Sequence, residues 1–135
     1  MAVADLLLLV GRVLFGGVLA FMGLNHFMQT ESMTGYAEHK GLPAPKLSVL
    51  ASGAVLVLGG ISVAVGVLPV IGAVALAGFL AVSALTMHNF WAVPEDQQQD
   101  EMTGFLKNAA LAGAALAVAA SAATGWAYSV GVTLF

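Results

Sequence analysis

The sequence predicts an all-α membrane protein, an antiparallel four-transmembrane-helix bundle, and three observations carry that prediction. Of the 135 residues, 60% are hydrophobic and 8% charged, whereas a soluble domain needs about 25% charged residues to cover its surface. The apolar residues fall into four runs, each long enough to cross about 30 Å of hydrocarbon at 1.5 Å per helical residue. Pro43, Pro45, Pro69 and Pro94, which are all the prolines of the chain, fall in the links between those runs, where a residue that interrupts a helix belongs. A single transmembrane domain over residues 1–135 is the expected organisation.

Span one covers residues 3–27. No Lys or Arg precedes it and no convincing small-x-small cleavage site follows it, so it reads as a retained span and not as a cleaved leader. Residues 29–46 carry Glu31, Glu38, His39, Lys40 and two prolines and read as an extramembrane loop, with His39 solvated. Span two, residues 47–67, contains no charge. The link at 66–70 has room only for a turn, so spans two and three are antiparallel neighbours. Span three, residues 70–90, closes on Phe90 and Trp91, an interfacial aromatic anchor. Residues 92–104 set Pro94, Glu95, Asp96, Asp100 and Glu101 around three glutamines, and such a loop cannot lie in hydrocarbon. Span four, residues 105–125, is followed by Trp126, Tyr128 and a short apolar tail.

Four spans place loops 29–46 and 92–104 on one side and both termini on the other. Lys40, Lys46 and Lys107 all lie on the loop side, so the positive-inside rule puts the loops in the cytoplasm and the termini outside. The formal charge of -3 and the lack of any basic run exclude a nucleic-acid partner, which needs cations to neutralise phosphate. Without cysteine there are no disulfides, thiolate metal sites, Cys nucleophiles or iron–sulfur ligands. Redox chemistry would need an external cofactor.

Close helix approach in lipid depends on small residues. Gly16 with Ala20, Gly60 with Ala64, and the stripe Gly113, Ala117, Ser121 and Gly125 are the expected packing faces. Such faces permit an oligomer as readily as a monomer.

The polar residues inside the spans are the candidates for function. Arg12 should face the bundle interior or snorkel, since a charge at a helix centre costs about 2.5 to 3.5 kcal/mol on insertion scales. Arg12, Leu19 and His26 recur every seven residues on one face, with Arg12 and His26 about 21 Å apart along the axis. Asn25 and His26 close span one at the loop side, His88 and Asn89 close span three there, and Lys107 and Asn108 open span four at the same depth. Topology thus brings Asn25, His26, His88, Asn89, Lys107 and Asn108 to one membrane level as a candidate ligand site. The plainer alternative is that these groups cap helix ends or sit among headgroups.

Quinone suits such a site best, its carbonyl oxygens accepting from His, Asn or Lys while its tail lies among apolar side chains. Axial haem ligation by His26 and His88 is the weaker chemical option, and a metal held by two His and a loop acid is weaker again. The acids from Glu95 to Glu101 offer a contact surface for a partner redox subunit.

Several segments carry a resemblance: Arg12-x-x-Phe15-Gly16 and Gly23-Leu-Asn-His-Phe27 in span one, Gly59-Gly60 in span two, Met87-His88-Asn89-Phe90 in span three, and Phe105-Leu-Lys-Asn108 opening span four. Together they resemble the DoxX family of small integral membrane proteins. The resemblance implies a four-helix membrane protein. It also implies a link to thiosulfate:quinone oxidoreduction, from which the family takes its name, while other relatives serve in membrane redox assemblies or in chaperone-like roles.

Overall fold

The computed structural model describes residues 2–133; Met1 and the end of the apolar tail, Leu134 and Phe135, lie outside them. The chain runs α1 (Val3–Met28), α2 (Thr30–His39), α3 (Pro45–Val65), α4 (Pro69–Met87), a single 3₁₀ turn (Phe90–Ala92) and α5 (Glu95–Ala123). Four of these, α1, α3, α4 and α5, are long and apolar enough to cross a membrane. Helix α1 packs on α3, α3 on α4 and α4 on α5, with α2 laid against α3. The all-α four-span bundle expected from hydropathy is the fold observed.

The α1–α3 seam is built on glycine. A β-carbon on Gly16 would meet the Gly60 carbonyl and Ala64, and one on Gly60 would meet the Gly16 carbonyl and Ala20. The two short stripes expected to pack are therefore each other's partners. Two turns further along, Gly23 and Gly53 repeat the arrangement. Leu19 and Leu56 fill the space between, and the core continues through Val63, Leu76, Leu80, Ala115 and Ala119. On the outside, residues such as Leu7, Leu14, Leu58 and Leu116 remain exposed, as a lipid-facing surface requires.

Two expectations are corrected. Both long links are largely helical: α2 occupies 30–39, and α5 begins at Glu95, ten residues before its apolar part. In α2, Met33 and the buried Ala37 are four apart, which gives this polar segment one face to dock. In α5, Glu95 and Asp96 stand in the first turn after Pro94, where acids complement the helix dipole, and the glutamines that follow are good helix formers. The second correction concerns small residues: Gly113, Ala117 and Gly125 are exposed, while α5 buries Ala115, Ala119 and Ala122. With only α4 to pack against, α5 uses a single alanine face.

Arg12 is 1% exposed and finds backbone carbonyls instead of an acid. Its Nε donates to Val63 O at 3.3 Å and its Nη2 to Ala64 O at 3.1 Å, which satisfies carbonyls left open at the C-terminal end of α3. Nη1 donates to Ala127 O at 3.0 Å and Nη2 also to Tyr128 O at 3.1 Å. The guanidinium lies 4.3 Å from the centre of the Trp126 ring, within cation–π range. The segment after α5 is held further by Val130 N–H to Val65 O and Leu68 N–H to Val132 O. Arg12 thus joins α1, the end of α3 and the C-terminal segment.

Candidate functional site

The polar groups at the loop end of the bundle gather around Glu101. Tyr36 in the last turn of α2 and Lys40, which caps its C-terminal end, are four residues apart and so share a face. His88 and Asn89 follow the last turn of α4, and Glu101 stands in the polar extension of α5. Lys40 Nζ donates to Glu101 Oε2 at 2.6 Å and to Asn89 Oδ1 at 2.8 Å. This ion pair is well shielded, with the Lys40 side chain 7% and the Glu101 side chain 14% exposed. The Tyr36 hydroxyl lies 3.2 Å from Met87 O and 3.3 Å from both Glu101 oxygens. It holds a single proton, and the carboxylate is the stronger acceptor. Burial, reinforced by the charge of Glu101 and its hydrogen bond, pushes the Tyr36 hydroxyl up to about 12.

His88 completes the cluster in an unfinished way. Its Nδ1 is 3.6 Å from Glu101 Oε1, beyond a hydrogen bond, and this buried nitrogen has no other partner. The side chain as a whole is 28% exposed, so the ring is accessible on the side away from Nδ1. The imidazole fits there because residue 104 is glycine: a β-carbon at Gly104 would run into the ring. Beneath the cluster, Phe90, Trp91 and Phe105 form an edge-to-face triad with centroids 5.2 to 5.8 Å apart, at the level where an aromatic anchor was expected.

The six candidate residues are not all brought together. His88 and Asn89 enter the Glu101 cluster. Asn108 lies deeper in the α4–α5 seam and donates to Ser83 Oγ at 3.3 Å. Lys107 is exposed at that depth, where its stem can lift the ammonium towards the headgroups. His26 Nδ1 is 2.8 Å from Met22 O in its own helix; since a carbonyl only accepts, Nδ1 carries the proton and Nε2 is left as an acceptor. Its β-carbon lies on Gly53 of α3. Asn25 is half-buried at the end of α1. His39 is exposed, in keeping with a solvated residue.

Three members of the cluster, Tyr36, Lys40 and Glu101, were not among the expected site residues. Their signal was the four-residue spacing of Tyr36 and Lys40, which means something only if 30–39 is a helix. The arrangement can hold a carboxylate in a fixed position, orient an imidazole beside it, and pass a proton between that imidazole and a ligand on its open side.

A model of the DoxX family matches residues 7–89. The match runs from α1 to just past α4, includes Tyr36, Lys40, His88 and Asn89, and stops short of Glu101 and of the motif at 105–108. Comparison with curated proteins and with solved structures gives no match.

Proposed function

Because the chain belongs to the DoxX family, we propose that it serves as a membrane subunit of an oxidoreductase and binds a lipophilic redox ligand, a quinone, at the His88 end of the bundle. The observation that carries this reading is the buried, unpartnered Nδ1 of His88 held 3.6 Å from Glu101 in an otherwise satisfied cluster. A buried polar group left open in this way points to a role other than packing. A quinone brings two carbonyl oxygens and a demand for two protons when it is reduced by two electrons, which a partner subunit would supply. Imidazole is the side chain best suited to exchange protons near neutral pH. In this reading His88 addresses a carbonyl oxygen from its open side, its Nδ1 closes the remaining distance to Glu101 as the ligand seats, and Lys40, Asn89 and Tyr36 hold Glu101. Asn108 and the α4–α5 seam lie on the path of the tail, Lys107 flanks it at the membrane surface, and Asn25 and His26 border the same level from α1.

The protein purified in mild detergent should carry extractable quinone, and His88→Ala should lose at least about nine-tenths of it, the effect of removing a charge-assisted contact. Unchanged quinone in that variant would sink the site.

A second reading is favoured by the exposure of Glu95, Asp96 and Asp100 on the polar extension of α5: a non-enzymatic assembly subunit whose acidic surface docks a partner. In that case Glu95→Gln with Asp96→Asn dissociates the host complex, while His26→Ala and His88→Ala leave its activity intact.

A further inference from the structure

Helix α2 turns a second polar face to the start of α3, away from the Glu101 cluster. Between the two helices lies a groove of about 460 Å³ walled by Glu31, Thr34, Glu38, Lys46 and Leu50. Glu31 and Glu38 are seven residues apart and so share one face of α2. Among the described residues the ion pairs are Lys40–Glu101 and the long His88–Glu101 contact, so the two groove carboxylates and the Lys46 ammonium have no partner of opposite charge. The Thr34 hydroxyl in the wall is buried with no hydrogen-bond partner. The groove thus offers charges of both signs, with an unsatisfied hydroxyl buried behind its wall, and nothing among the described residues answers them.

Its position identifies the guest. Helix α2 joins the end of the apolar α1 to the start of the apolar α3, which is the headgroup level of a bilayer. Beside the groove, Leu47 is 66% and Phe27 46% exposed, an apolar surface for hydrocarbon. Lys46 stands in the first turn of α3 after Pro45, where free backbone N–H groups and the helix dipole favour phosphate.

We propose that the groove binds the phosphoethanolamine headgroup of a phospholipid, with the ammonium between Glu31 and Glu38, the phosphate at Lys46, and the acyl chains over Leu50 and Leu47. A primary ammonium has three N–H donors for carboxylates, whereas a quaternary ammonium has none. Two acids against one base disfavour headgroups with a net negative charge. The site shares no side chain with the proposed quinone site, so the two stand or fall separately.

The test is lipid retention by native mass spectrometry. Detergent-purified protein is supplied with equimolar phosphatidylethanolamine, phosphatidylcholine and phosphatidylglycerol of identical chains. Phosphatidylethanolamine should be retained roughly fivefold over each competitor, the scale of one or two partly exposed ion pairs. Glu31→Gln with Glu38→Gln should bring the ratio over phosphatidylcholine close to one, and Lys46→Met should lower retention of phosphatidylethanolamine. Helix content and thermal unfolding serve as the folding control, since all three substituted side chains are exposed. Equal retention of the three lipids by the unaltered chain, or an unchanged ratio in the double variant, would overturn the proposal. Displacement of the lipid by an equal concentration of free phosphoethanolamine would overturn a lipid source and assign the groove to a soluble solute.

Discussion

The Tyr36 hydroxyl has one proton and three acceptors within 3.3 Å, and its titration reports on the whole cluster. Its ordinary value of 10.0 is raised to about 12, so the folded state holds this proton more tightly than the unfolded chain. The stabilisation is complete below pH 10 and is lost as pH rises through 12. Phenolate absorbance should show a component titrating near pH 12 that Tyr36→Phe removes; the same component persisting in that variant would place the late proton elsewhere. His88 and Asn89 could be picked out from sequence because an ionisable residue at a span end stands out against an apolar run. Glu101 could not, because three other acids, Glu95, Asp96 and Asp100, stand beside it in the same short stretch, and only the fold shows which of them turns inward. Arg12 was recognisable as an interior residue, but its carbonyl partners come from residues 51 to 116 positions away and have no side-chain signature.

Among the elements, the spans were predictable to within a few residues, since hydropathy and proline are local properties. Helix α2 and the first ten residues of α5 were not, because they are polar segments whose helicity comes from docking and from acids in their first turns rather than from hydropathy. The α1–α3 seam supports a sharp contrast between two glycines of one sequence. A β-carbon at Gly60 meets backbone atoms of α1 that cannot yield, whereas one at Gly17 meets nothing within 4 Å. Gly60→Ala should destabilise the protein by about 2–3 kcal/mol through overpacking. Gly17→Ala should be neutral or stabilising by up to about 1 kcal/mol, the helix-propensity gain. Thermal unfolding in detergent distinguishes them, and equal melting temperatures would show that the seam is looser than its geometry. Ala44, left-handed at φ 43 just before Pro45, marks where the chain must turn sharply to enter α3.

At the scale of the whole molecule, the lysines Lys40, Lys46 and Lys107 share the loop end of the bundle, and the positive-inside rule predicts that this end faces the cytoplasm. Lys40 is tied to Glu101, which makes Lys46 and Lys107 the free cations on that face. The lack of cysteine gives labelling a clean background. In intact cells a membrane-impermeant maleimide should label Ala4→Cys and spare Gln98→Cys, both at exposed positions; the reverse pattern would invert the topology.

The Arg12 cage also bears on how the protein is made. A guanidinium synthesised 115 residues before Ala127 enters the bilayer with α1, ahead of every carbonyl that will surround it. At that stage neither the end of α3 nor residues 127 and 128 exist to accept its hydrogen bonds. Each partner delivered by translation lowers the energy of the same buried charge, so the first span reaches its final state only when the ribosome has passed Tyr128. A chain that stops before that point keeps a charged group in hydrocarbon without its full shell of carbonyls.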